Sequence, residues 1–549
     1  MEWKFEGKSY KSEEKKTGIE VLEYFGMDPA RNLYMALSLD GEAVSLQSEL
    51  ERGGEIKPLT FYDHDGRRTY QNGLLYLLVM AAEKLFPQME LRFNHTLGQG
   101  LYGEPDAPGF MTNKELDLLT AEIESLVKMD LKFEPIVLSP AEAAKLLLER
   151  GRTEKARVIA NADLPSITLY KLADRIDYYY GPVIMRTSQI KNFELVLCPP
   201  GFYLKALPPD KKKESQAFFY PRKLFSAFVE YEVWSEIMDV RTIDSLNSRI
   251  EKGTIRDVIQ ISEAFHEKKI ASIADKIYSK KDRIKIILIS GPSASGKTTF
   301  SKRLSIQLQV VGLQPETISL DSYFRSREET PKDEKGEYDF ESLEAIDIPL
   351  FNRHLQTILA GENVRIPEFD FKQGSGKPGR KMIRLPSNGV LIVEGIHGLN
   401  PALLPEINPR QLFRIYVSAL TQLNLDRHNR IPTTDTRRLR RTVRDASFRG
   451  YTASDTLSRW PSIARGEEKY IFPFQEEADA MFNSALPYEW SLLKSLVQPL
   501  LEAIEPGNIV YGEAKRLLCK LAFIKPIDSV FIPPTSILRE FIGGSSFQY

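Results

Sequence analysis

Residues 284–299 read IKIILISGPSASGKTT, an apolar, β-branched run that passes without a break into a glycine-rich loop, a lysine and paired threonines. The first seven residues have the pattern of a strand buried on both faces, the kind found in parallel sheets. The next eight, Gly291-Pro292-Ser293-Ala294-Ser295-Gly296-Lys297-Thr298, match G-x-x-x-x-G-K-[ST] between that strand and a helical pattern over 299–308. Gly291 and Gly296 let the backbone wrap an anion with the N–H groups between them. Lys297 reaches the outer phosphates and Thr298 is placed to hold Mg²⁺. The helix that starts at Thr299 aims its positive end at the same charge. The loop implies a nucleoside triphosphate, ATP or GTP, together with Mg²⁺.

A phosphate loop does not name the acceptor, so the carboxylates downstream decide between motor, switch and kinase. Asp321 follows a strand pattern at 316–320, and in a parallel sheet the carboxyl ends of the strands face the ligand crevice. There it can take a proton from an attacking hydroxyl; the structural alternative is to cap the next turn. A third strand pattern, 389–393, ends in Glu394, the natural Mg²⁺ partner, because an unpaired carboxylate at that place is costly. His397 reads as structural, and Asp347 as the N-cap of a helix entered through Pro349. Arg437, Arg440, Arg441 and Arg444 fall at i, i+3, i+4 and i+7 and predict one cationic helix face. A lid over a moving phosphoryl group needs such a face. An RNA-binding face and a solvated, salt-bridged helix are the alternatives.

Around this region the chain of 549 residues is long enough for several domains. Lys and Arg number 74 against 75 Asp and Glu, so no global charge draws the chain to nucleic acid or to an anionic membrane. Cys198 and Cys519 are the two cysteines and the six histidines lack ligand spacing, which argues against a disulfide framework or a thiolate metal site. A charged N-terminus and the lack of a run near ~20 apolar residues predict a cytoplasmic protein with no membrane partner. Residues 32–62 predict a small β-rich module turned at Asp40-Gly41 and Gly53-Gly54. Helical patterns follow at 72–86, at 114–128 and at 140–149 behind a Ser139 cap, with a strand at 193–198. The DKKKE run at 210–214 reads as a solvated loop, and 240–281 as a helical connector with a boundary near Asp282.

The succession GPSASGKTTF, DSYF, YDFESLEAID, IPEFDF, VLIVEGIHGLN and RRLRRTVRDASFRG resembles the uridine kinase branch of the uridine kinase and phosphoribulokinase family over roughly residues 283–505. The resemblance implies Asp321 as the base on a ribose 5′-hydroxyl, Lys297, Arg440 and Arg444 as catalytic cations, and Thr298 and Glu394 at the metal. It also implies Tyr323, Phe324 and Arg437 at the substrate. Two departures stand out. The family's N-[FY]-D-H-P run is here Asp339-Phe340-Glu341-Ser342-Leu343, which gives the ribose-binding role to the longer Glu341. Phe369 and Phe371 can stack on a base, but the pyrimidine-reading histidine that follows in animal uridine–cytidine kinases is absent.

The first half resembles the TGS and editing-type domains of threonyl-tRNA synthetase. Aligned on LFP and on GP, the four editing positions hold Asn72, Tyr76, Tyr179 and Val183, so the metal-type ligands and proton-transfer groups are gone. Together these likenesses imply an α/β chain: a β-grasp domain (1–66), an α+β domain (67–240), a helical connector (241–282), a P-loop kinase with a mostly parallel sheet flanked by helices (283–505) and a C-terminal extension (506–549). The implied activity is phosphorylation of a nucleoside, uridine or cytidine, by a homo-oligomer, with RNA not expected as the main partner. Another small hydroxyl acceptor is the alternative. An RNA-binding nucleotide switch is a third reading, against which a guanine-reading N-K-x-D is missing after Thr298.

Overall fold

The computed structural model describes residues 1–29, 31–97, 100–106, 109–210, 221–333, 336, 338–370 and 373–549. Its C-terminal part is built on five parallel strands, β1 (Ile286–Ser290), β2 (Gln314–Ser319), β3 (Gly389–Glu394), β4 (Leu412–Ser418) and β5 (Ala480–Asn483), in the order β2-β3-β1-β4-β5. Every residue of β1 is buried, as are all of β3 but its last, because both faces of the sheet are covered; hence the unbroken apolar runs. Ile289 and Ser319 both pair with Glu394, and Ser290 pairs with Tyr416. This register sets the carboxyl ends of β1, β2 and β3 side by side, facing one crevice.

Four helices matter for the crevice: α1 (Ile255–Tyr278), α2 (Lys297–Val310), α3 (Thr433–Arg444) and α4 (Tyr511–Leu521). Besides leading into β1, α1 packs along α2, and its Ile259, Ile270, Ile273 and Ile277, each 1% exposed or less, belong to one core with Ile287, Ile289 and Phe300. Each such side chain is worth roughly 1.5–3 kcal/mol of burial, so α1 is part of what holds the parallel sheet.

In the N-terminal half, Asp40 and Gly41 take φ of 49° and 82° and close a two-residue hairpin between Ala36–Leu39 and Glu42–Val44, as the sequence predicts. Gly53-Gly54 is not a turn. Gly54 opens the strand Gly54–Leu59, which runs parallel to Glu2–Phe5, and a Cβ on Gly53 would stand 2.3 Å from the Glu2 carbonyl oxygen. The charged N-terminus thus supplies two strands, anchored by the fully buried Trp3. The helices Asn113–Lys128 and Pro140–Glu149, the latter capped by Ser139, and the strand Phe193–Cys198 match the sequence patterns, whereas the helix expected from residue 72 starts at His64. Of the DKKKE run, residues 211–214 lie outside the described residues. No helix among the described residues is long and apolar enough to cross a membrane.

The two halves interlock. Residues 424–430, between β4 and α3, enter the N-terminal half, where the Arg427 carbonyl accepts from Phe93 N (2.9 Å) and Asn429 is bonded to Tyr178 O and Tyr180 N. Deeper in, Asp435 of α3 is fully buried between Arg516 and Lys520 of α4, at 2.5 and 2.7 Å. Burial works to raise the pKa of Asp435, but Arg516, Lys520 and Arg438 overcome it and hold the carboxyl well below its ordinary range. Removing that charge strands buried cations, which typically costs about 3–5 kcal/mol. Asp435→Asn is therefore expected to lower the urea midpoint of the full-length protein by that order, with unchanged far-UV circular dichroism before the transition; an unchanged midpoint contradicts the role given to Asp435.

Candidate active site

The loop after β1 turns its amides inward because Ala294 (φ 57°) and Gly296 (φ 84°) adopt left-handed conformations. At Gly296 a Cβ would also meet Ile537 at 2.5 Å. Each loop carbonyl from Gly291 to Ser295 has a side-chain donor. Lys297 Nζ serves Gly291 O (3.0 Å) and Pro292 O (3.2 Å), Arg437 Nη1 serves Ser293 O (3.1 Å), Arg440 Nη1 serves Ala294 O (3.4 Å), and Ser484 Oγ serves Ser295 O (2.5 Å).

These contacts divide the arginine face read from the sequence. Arg437 and Arg440 are 1% and 0% exposed, the first bonded through both terminal nitrogens to Glu467 (2.5 and 2.7 Å), the second through Nε to Glu489 (2.6 Å). A buried guanidinium requires such a carboxylate, and once paired it has little left for a passing phosphoryl group. The expected roles of Arg440 in catalysis and of Arg437 at the substrate are corrected accordingly: both brace the phosphate loop from behind. Arg441, Arg444 and Arg449 remain toward the crevice, fanned around the buried Asp445 at 3.2, 2.8 and 3.7 Å, and Arg441 Nη1 also donates to Ser293 Oγ (2.5 Å).

The acidic side follows from strand register. Asp321, two residues beyond β2, opens into the crevice, yet the crevice walls displace enough water to raise its pKa, against the nearby cations Lys297, Arg449 and Arg444. Glu394, the last residue of β3, is raised to about 7, first by burial, then by the charges of Asp321 and Glu540; Lys297 and a hydrogen bond from Thr298 act in the opposite direction. Glu341 is likewise raised to about 7 by burial and by Glu467, with Arg441, Lys297 and Asp321 close enough to act on it. Lys297, Thr298, Asp321, Glu341 and Glu394 thus meet in one place. A carboxylate that accepts from a threonine hydroxyl, and whose charge Lys297 offsets less than burial and its acidic neighbours oppose it, fits a divalent cation; among the described residues no three-ligand metal cluster exists, so such an ion would need donor oxygens from a substrate.

The aromatic side differs more from expectation. Tyr323 does not line the crevice: it is 1% exposed, bonded to His354 Nδ1 (3.1 Å) and packed edge-on against Phe351. Phe369 stands 5.6 Å from Phe324, while Phe371 lies outside the described residues. His397 is fully buried against Tyr470, and Asp347 caps the helix Ile348–Leu359 through Leu350 N (2.9 Å), both as read from the sequence. Sequence reasoning missed Glu467, Asp445 and Glu540. The last approaches Thr299, whose amide and hydroxyl both donate to it (3.0 and 2.7 Å). In the first half, Tyr76, Tyr179 and Val183 sit in a packed core where the Tyr76 hydroxyl donates to main-chain carbonyls, and Asn72 donates to the Tyr180 and Pro182 carbonyls.

Residues 286–488 match the model of the Phosphoribulokinase / Uridine kinase family. The N-terminal region is similar to threonine–tRNA ligases. Identity is 28% over 183 residues with that of Carboxydothermus hydrogenoformans, covering 33% of this chain and 28% of the ligase. It is 31% over 165 residues with that of Clostridium botulinum (strain Kyoto / Type A2), covering 30% and 26%, so the chain spans about a quarter of the length of these ligases. Among solved structures, similarity extends to a possible uridine kinase from Bacillus stearothermophilus (16% identity, 39% of this chain and 98% of that chain, TM-score 0.28). D-glycerate 3-kinase from Cryptococcus neoformans is another (15% identity, 46% and 87%, TM-score 0.22).

The Glu394 shift has a measurable consequence. An unfolded glutamate titrates near 4.5 and this one near 7, so the folded state holds a proton that the unfolded chain releases between those values. The resulting stability cost is absent below about 4.5 and complete above about 7. Glu394→Gln is expected to exceed the ligand-free wild type by about 1–3 kcal/mol at pH 8, with the advantage fading toward pH 4.5, as read from urea midpoints; equal midpoints at pH 8 contradict the shift.

Proposed function

We propose that this protein, whose C-terminal region is a P-loop kinase, transfers the terminal phosphoryl group of ATP or GTP to the 5′-hydroxyl of a nucleoside, uridine or cytidine, giving the 5′-monophosphate. The observation that carries the reading is the convergence of Asp321 and Glu394 on Lys297 and Thr298 at the carboxyl edge of the parallel sheet. Asp321 accepts the proton as the hydroxyl oxygen bonds to the γ-phosphorus and the bridge to the β-phosphate breaks. Its raised pKa suits a base that must hold a proton through the transfer. Thr298 and Glu394 would hold Mg²⁺, which when bound neutralises donor oxygens. Lys297, Arg441, Arg444 and Arg449 supply the positive charge on the other sides. Glu341 takes the ribose hydroxyls, and Phe369 beside Phe324 provides the apolar wall that a base would lie against.

The alternative is a small hydroxyl acceptor without a base, favoured by one observation: Tyr323 is sealed into the core, so one fewer ring reaches the acceptor side. The first half is proposed to bind or regulate rather than to hydrolyse mischarged tRNA, because phenol rings and main-chain hydrogen bonds fill the four editing positions.

A phosphate-transfer screen of the full-length protein against ribonucleosides, deoxyribonucleosides, sugars and hydroxy acids distinguishes the acceptor classes: monophosphate formed from uridine or cytidine supports the first, and turnover confined to non-nucleosides supports the second. Asp321→Asn keeps the shape and removes the base, so turnover should fall ~10²–10⁴-fold while nucleotide binding persists. Undiminished turnover would reassign the base.

A further inference from the structure

The C-terminal extension ends on the phosphate loop. Ile537, Leu538 and Phe541 are fully buried, Ile537 against Gly296 and Phe541 beneath the Arg440 guanidinium, 5.2 Å from its ring centre. Between these anchors the short helical turn Arg539–Ile542 directs Glu540 at the start of α2. One carboxylate oxygen, Oε2, accepts from Thr299 N (3.0 Å) and from Thr299 Oγ1 (2.7 Å), and the Tyr549 hydroxyl stands 2.8 Å from the same Oγ1. Under this cover Thr299 is 0% exposed, while Lys297 and Thr298 remain partly open. An amide and a hydroxyl in the first turn of a helix that follows a phosphate loop are donors an incoming phosphate would use, and here a carboxylate from the same chain already has both.

We propose that Glu540 sets the donor affinity of this kinase by standing in the place of a donor phosphate, so that the nucleoside triphosphate binds by displacing it. The inference rests on the reading of the loop as the donor site. Two like charges cannot share the Thr299 donors, so occupation of that place by a polyphosphate requires the carboxylate to leave. Departure leaves Leu538 and Phe541 in the core; it requires Glu540 to rotate outward and breaks the Tyr549 hydroxyl contact with Thr299 Oγ1. The apparent affinity is then lowered by the fraction of molecules in which the carboxylate has left.

The test is calorimetric titration of full-length wild type, Glu540→Ala and Glu540→Gln with MgATP and with MgGTP, without acceptor. Glu540→Ala is expected to bind its preferred donor at least about 10-fold more tightly than wild type, and Glu540→Gln, neutral but still able to accept, to lie between. Hydrogen exchange supplies a second measurement that does not depend on any variant folding: saturating MgATP or MgGTP should speed exchange in wild-type peptides covering 543–549. Equal or weaker binding by Glu540→Ala, or slower or unchanged exchange at the C-terminus with bound donor, overturns the displacement. Failure of all three proteins to bind either nucleotide overturns the donor-site reading itself, and is distinct from equal binding by wild type and variants.

Discussion

A loop that aims its amides at one point must send its carbonyls the other way, and a buried peptide group without a partner costs free energy on either side. Most of the architecture around residues 291–299 answers that demand. The carbonyls of Ser293, Ala294 and Ser295 are met by Arg437, Arg440 and Ser484, and the two arginines bring Glu467 and Glu489 with them. Two amides are met by carboxylates, Ser293 N by Glu467 and Thr299 N by Glu540. The ligand-free loop is therefore held from α3, from the helix Trp460–Tyr470 and from the C-terminal extension at once.

The same requirement explains why positive charge is divided on α3. A single arginine face would be an unneutralised cationic stripe against a buried sheet. Instead, two guanidiniums are taken up with carboxylates as part of the packing, and three are grouped around Asp445 at the crevice. The acids there are raised toward neutral pH because burial and mutual repulsion favour the proton.

Joining the halves follows another logic. The N-terminal half does not hang from a linker: Asn429 is bonded to Tyr178 and Tyr180, and on α4 the Lys520 ammonium stands 4.8 Å from the Tyr180 ring centre. Aromatic side chains such as Tyr76 and Tyr179 fill the core of the N-terminal half.

Local pattern determined a good deal: the buried strands, the loop at 291–298, the carboxylates at 321 and 394, the Asp40-Gly41 hairpin and the caps at Ser139 and Asp347 were all legible, because each depends on neighbours a few residues away. Helical spacing placed Arg437, Arg440, Arg441 and Arg444 on one face, but spacing carries no depth, and depth decides whether a guanidinium serves the core or the crevice. That was settled by Glu467 and Glu489, which stand 30 and 49 residues along the chain from their partners. Tyr323 was sealed away by His354 and Phe351 in the same manner, and Glu540 reached Thr299 across 241 residues. Sequence determined which groups were available; only the tertiary structure decided which charges meet, because pairing across such separations depends on the packing of whole elements and leaves no periodicity to read.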